Sequence, residues 1–219
     1  MGLVKHEQIE ELPHYSHDAL FFHNDEITTG QLNNKTEVKI HLITGQFLYF
    51  DNEHGFPLDL RQTGLKERLA EILRKFNLKV PDIPIEGVPL EQLALFRNYA
   101  IRAKRVLELF RMSLSGHYTL VHLWPHNFDF SVEWFTGNQD EQIGTGISPG
   151  DEKYPGEYVY MNPYPFRETM ISLSLPIGFW HTSEWKGIKA EWSDFAELDD
   201  RAAASKLQEL FAIAKQNFQ

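Results

Sequence analysis

The stretch HLWPHNFDFSVEWF, from His122 to Phe135, concentrates side chains able to move protons or hold ligands. Two imidazoles, His122 and His126, flank Trp124-Pro125, and Asp129 and Glu133 then alternate with aromatic residues. Histidine changes charge near neutral pH and can serve as acid, base or metal ligand. Pro125 donates no N–H, so it belongs at a strand edge, bulge or bend, and it argues against a helix here. That excludes the zinc-protease reading of His122-x-x-x-His126, which needs a helix and a glutamate after the first histidine, where Leu123 stands. On a straight strand the two histidines would lie about 13 Å apart. They converge only if Trp124-Pro125 folds back.

Beyond Pro125, Phe128, Phe130, Val132 and Trp134 fall on one strand face, and Asp129, Ser131 and Glu133 on the other. The apolar set is expected to be core. The polar set faces either solvent or a pocket. As a glycosidase pair, Asp129 and Glu133 are discounted, because about 13 Å of straight strand exceeds the ~5–9.5 Å such pairs use.

Three later segments offer partners. Ile143–Ile147 is a strand interrupted by glycines, where a ligand or backbone can come close. Ser148-Pro149-Gly150-Asp151 reads as a turn, and Ser148 and Asp151 could rim a pocket. Tyr158 and Tyr160 share a strand face, and Trp180 precedes His181 in GFWHTSEW. Read as one ligand site, these segments contribute His122, Trp124, Ser148, Asp151, Tyr158, Tyr160 and Trp180. His126 would be the acid/base with Asp129 as its orienting partner, and His181 a further catalytic candidate. The ligand would be a small polar molecule able to stack on Trp or Tyr. A second reading gathers His122, His126, Asp129 and His181 around a divalent metal in a hydrolase or oxygenase. A third makes the exposed aromatics an interaction surface, for a partner or for a second copy in a homodimer. A Ser-His-Asp hydrolase is disfavoured, since no Gly-x-Ser-x-Gly elbow is present.

The supporting elements follow from periodicity. Glu37–Asp51 reads as a hairpin with Gly45 in its turn. Leu65, Leu69, Ile72 and Phe76 form one helical stripe. Three prolines in Val80–Pro89 make a stiff connector, and Pro89 opens a long helix buried through Leu93, Phe96, Ala100, Ala103, Leu107 and Phe110. Strands are expected near 118–124, 127–135, 141–147, 156–162 and 179–191, then a helix after Asp199 or Asp200. Clustered strands predict an α+β fold, mainly antiparallel, with helices packed on one face of the sheet. The 219 residues suit a single domain, 1–219, with a hint of two structurally related halves at about 1–80 and 90–219.

Composition narrows the setting. A net charge of -10 repels phosphate backbones, so nucleic acid is not an expected partner. The chain has no cysteine, which excludes disulfides and thiol chemistry and fits a reducing cytoplasm. No apolar run approaches membrane-spanning length, and the amino terminus lacks the pattern of a secretion signal. His14-x-x-His17 near that end could bind stray metal.

The block Trp124-Pro125-His126-x-Phe128-Asp129, then Ser148-Pro149-Gly150-Asp151 and the Tyr-Pro segment, resembles a bacterial domain-of-unknown-function family with WPHxFD and SPGD motifs. The likeness spans roughly residues 60 to 195. It implies a soluble cytoplasmic protein and brings no activity or cofactor. It strengthens the expectation that the two blocks face one site.

Overall fold

The computed structural model describes residues 19–31, 36–51, 54–75, 87–138 and 140–219. Phe76, most of the proline connector, and His14 and His17 lie outside these residues. The chain forms two compact units, Met1–Tyr99 and Ala100–Gln219, where the sequence suggested one domain. The division falls inside a helix, not in the proline-rich stretch.

The first unit carries a five-stranded antiparallel sheet in sequence order: β1 (Phe21–His23), β2 (Glu26–Thr28), β3 (Thr36–His41), β4 (Gln46–Asp51) and β5 (His54–Asp59). The sequence disclosed only β3 and β4. The β1–β2 turn places Asn24 and Asp25 at positive φ (49° and 65°), a conformation these short polar residues tolerate in tight hairpins. Helix α1 (Leu65–Lys75) begins after Gly64. Its stripe of Leu65, Leu69, Ile72 and Leu73 packs with Val38, Phe47, Tyr49 and Leu58 from the sheet. Period 3.6 on the helix and period two on the strands thus meet in one core.

Helix α2 (Leu90–Arg111) follows Pro89, whose carbonyl accepts from Leu93 N. Leu93, Ala100, Ala103, Leu107 and Phe110 are buried as the spacing required.

The second unit carries β6 (His117–Tyr118), β7 (His122–Trp124), β8 (Asp129–Phe135), β9 (Gln142–Ser148), β10 (Tyr158–Tyr164), β11 (Phe179–His181) and β12 (Gly187–Glu191). The sheet order is β11-β12-β10-β9-β8-β6, and β7 also pairs with β8. Pro163 extends β10 past its expected end. It sits opposite Ile143 of β9, beyond Met161, where the pairing with β12 stops, so the missing N–H breaks no ladder there. Helix α3 (Asp200–Ala214) is capped by Asp199, whose carboxylate accepts from Ala202 N at 2.8 Å. Phe211 of α3 meets Trp134 of β8 edge-on at 5.4 Å and Phe110 of α2 at 5.6 Å. Phe130, Val132, Ile143, Ile147, Val159, Met161, Ile188 and Ala190 complete this buried face. The fold is α+β, with antiparallel sheets. Among the described residues no helix is long and apolar enough to cross a membrane.

Candidate functional site

Trp124-Pro125 does fold back. Residues 125–128 form the turn of a hairpin in which Trp124 opposes Asp129 and His122 opposes Ser131. Phe128 N donates to Trp124 O at 2.8 Å, and Phe128 takes a left-handed φ of 56°. Opposed residues in an antiparallel pair share a face. His122, Trp124, Asp129, Ser131 and Glu133 therefore stand together, on the side turned away from Phe130, Val132 and Trp134.

The same face continues across the sheet by register. Ser131 aligns with Gly146, Gly146 with Tyr160, and Tyr160 with Lys189. Glu133 aligns with Gly144, and Gly144 with Asn162. The two glycines let side chains from β8 and β10 meet over β9. A Cβ on Gly146 would stand 2.3 Å from Tyr160 Cζ, so the tyrosine ring occupies that space. Across it, the Tyr160 hydroxyl donates to Asp129 Oδ2. The close approach anticipated at Ile143–Ile147 is thus made by neighbouring side chains. Beside it, Trp124 Nε1 donates to Ser131 Oγ at 2.7 Å, and that hydroxyl reaches Glu133 Oε1 at 3.4 Å.

Desolvation dominates the electrostatics. Burial pushes the Asp129 carboxyl up, opposed by the Tyr160 hydrogen bond, a backbone hydrogen bond and the nearby His126. Burial pushes Glu133 up to about 7; the Ser131 hydroxyl works against this and the Asp129 charge adds to it. The Tyr160 hydroxyl is held well above its ordinary value by burial and by Asp129. Each shift penalises a charge taken from water.

Two loops from the same unit close on the far end of this face. In the loop after β9, Asp151 Oδ1 accepts from Lys153 N (2.7 Å) and Tyr154 N (2.8 Å). That turn carries the Tyr154 hydroxyl to 2.9 Å from His181 Nε2. His181 Nδ1 lies 2.7 Å from Trp185 O, which can only accept, so Nδ1 carries a proton. Trp185 stacks on His181 at 4.2 Å and meets Tyr160 edge-on at 6.3 Å. Lys153 and Glu184 tie the loops at 2.8 Å. Lys189, buried with its ammonium paired to Glu191, lies 4.9 Å from the Tyr158 ring and 5.8 Å from the Tyr154 and Phe179 rings.

His122, Trp124, Asp129, Ser148, Tyr158, Tyr160 and His181 thus share one face. Two expectations, Trp180 and Asp151, need correction. Trp180 opposes Ile188 and so points to the helix side, where its Nε1 donates to Leu173 O and its ring packs on Phe166. Strand alternation gives the site Phe179 and His181 instead. Asp151 is exposed, and its carboxylate shapes the loop. His126 sits at the exposed hairpin tip, near enough to act on the Asp129 charge, and Tyr160 supplies the hydroxyl bound to Asp129 Oδ2. The metal reading also loses its ligand set: among the described residues no group of three His, Asp or Glu is arranged to hold a metal ion.

The sequence reading passed over Glu133, Asn162, Tyr154, Trp185 and Lys189 as site residues. The available signal was Gly144-x-Gly146, two glycines on one strand face that vacate room for neighbours. A hollow of about 290 Å³ between Ser113–Ser115 and α3 residues Gln208, Phe211 and Lys215 contains none of these groups. No protein-family model, curated protein or solved structure matches the chain.

Proposed function

We propose that this polar face binds a small polar ring compound, and that Asp129, oriented by Tyr160, is the acid/base group acting on it. The supporting observation is a row of desolvated titratable groups, Asp129, Tyr160 and Glu133, beside the indoles of Trp124 and Trp185. A purely structural sheet face gains nothing from desolvated acids. A binding face does, because the ligand can supply the missing hydrogen bonds while aromatic rings cover its apolar surface. His126, near Asp129 at the hairpin tip, would then tune that carboxylate from the rim. The kinship drawn from the WPHxFD and SPGD blocks belongs to the same proposal, since both blocks adjoin this face.

A thermal-shift screen of sugars, cyclic polyols, nucleosides and heterocyclic acids tests this. At least one class should raise the melting temperature of the wild type. Tyr160→Phe should weaken that compound about tenfold, since ~1.4 kcal/mol matches one hydrogen bond to a charged group. Binding that survives both Tyr160→Phe and Asp129→Asn unchanged would place the ligand elsewhere, and a screen without hits would remove the site.

A further inference from the structure

The Glu133–Asn162 pair poses a separate problem. The point where a Cβ on Gly144 would stand lies 2.7 Å from Asn162 Oδ1, 3.0 Å from Glu133 Oε2 and 3.1 Å from Glu133 Oε1. Three oxygens therefore border the space over a residue with no side chain. An amide oxygen and a carboxylate both only accept hydrogen bonds. Asn162 Oδ1 is buried and has no hydrogen-bond partner among the described residues. Among the described residues no lysine or arginine is paired with Glu133. Asp129 and Ser131 flank it on β8, Tyr160 faces it from β10, and β9 offers glycines. His122 lies across from Ser131 on β7, and Thr119 Oγ1 accepts from the Glu133 backbone N–H. A proton placed on Glu133 would ease the conflict: the carboxylic acid becomes a donor on the side where the orphaned amide oxygen lies.

We propose that Glu133 is the resident proton donor of this site, held as a neutral acid that donates to Asn162 Oδ1, while Asp129 is its ionised counterpart. The two carboxyls differ in their partners. Asp129 accepts from the Tyr160 hydroxyl and from a backbone N–H, both of which favour the charged form. Glu133 has one long bond from Ser131 and an acceptor beside it. Environments that pull two carboxyls apart assign acid and base roles. Burial, which raises Glu133 to about 7, acts in the same direction. The inference rests on the ligand-site reading for its use: Glu133 gives its proton to a basic or departing atom of the ligand, Asp129 takes one from it, and no net proton is consumed.

The alternative is an Asn162 amide turned round, with Nδ2 donating to an ionised Glu133. Carbon-13 carboxyl NMR on glutamate-labelled protein separates the two, with Glu133→Gln assigning the resonance. Glu133 should titrate within about a unit of 7. In Asn162→Ala the midpoint should fall, because the neutral acid loses its acceptor. A wild-type midpoint near the ordinary glutamate value, or a rise in Asn162→Ala, would overturn the proposal, the rise being the sign of a donating amide. Should Asn162→Ala fail to fold, the melting temperature decides. It should drop between pH 5 and 8 in the wild type and stay level in Glu133→Gln; parallel curves would overturn the proposal. None of these readouts involves a ligand, so a failed screen and a failed titration remain distinct results.

Discussion

The two sheets of this chain handle acidic side chains in opposite ways. In the first unit Lys39 lies between Glu26 (3.5 Å) and Glu37 (3.4 Å), all three about a quarter exposed, and the Thr28 hydroxyl also bonds Glu37. Asp25 meets Arg97 at 2.8 Å, and Asp59 is held at about 2 by its hydrogen bonds to Arg61. Acids there face bases at a wet surface. In the second unit Asp129 is buried and Glu133 half-buried; around them stand the Tyr160 and Ser131 hydroxyls, an amide oxygen and, near Asp129, His126. Both are ordinary antiparallel sheets with one face in a core. Matched surface charges are cheap and nearly neutral for stability, whereas desolvated acids lower it.

The strongest way to break this comparison is through a strand glycine from each sheet. Gly146→Ala puts a Cβ into the Tyr160 ring, at 2.3 Å from Cζ and 2.4 Å from the hydroxyl oxygen. The ring must move, and its bond to Asp129 is lost with it. Overpacking together with a lost bond to a buried carboxylate predicts about 4 kcal/mol of destabilisation. Gly55→Ala, in β5, meets only the edge of the exposed Phe50 ring, at 3.3 Å from Cε1. That ring can rotate, so the change should stay within about 0.5 kcal/mol. All five tryptophans belong to the second unit, which makes their fluorescence a selective probe of its unfolding. Equal effects at the two glycines would mean that Tyr160 is not wedged as described.

The sheet and helix frame was legible because its signals are periodic. Leu93 through Phe110 and Phe130, Val132 and Trp134 read out their buried faces directly, and a cap at Asp199 marks α3. The hairpin at Trp124-Pro125 was legible as a condition for convergence. Local pattern could not reveal which strands become neighbours. Asn162 acquires its meaning from Glu133, and Tyr160 from Asp129, only through the register of β8, β9 and β10. Trp180 was misplaced by one residue of strand phase, which exchanges the two faces. The three-residue strands β1 and β2 are too short for alternation to register.

A pH series sharpens the comparison by sign. Glu133 titrates at about 7 when folded against an ordinary 4.5, so the native state holds the proton more tightly. Its contribution is fully present below pH 4.5 and is lost as pH rises through 7, by roughly 3 kcal/mol at 1.36 kcal/mol per unit. Asp59 runs the other way: depressed from 3.8 to about 2, it supports the first unit above pH 3.8 and loses that support as pH falls through 2. Urea unfolding followed by tryptophan fluorescence should therefore weaken from pH 5 to 8 in the wild type and hold level in Glu133→Gln. Amide exchange around Asp59 should show protection falling only at strongly acid pH.

The smallest effect is expected at Lys39→Met. It removes the cation between Glu26 and Glu37 and leaves two like charges closer to unopposed, but both carboxylates keep access to water. Exposed pairs of this kind are worth ~0.2–1 kcal/mol and are screened by salt, while methionine retains most of the apolar stem over the Phe50 ring. Amide exchange in β3 should change by less than about fivefold at low salt, equivalent to 1 kcal/mol, and the change should shrink further at 0.5 M salt. A large, salt-insensitive loss would mean that Lys39 compensates charges held out of water, as the acids beside Tyr160 are. The contrast between the two sheets would then fail on the side where it now looks simplest.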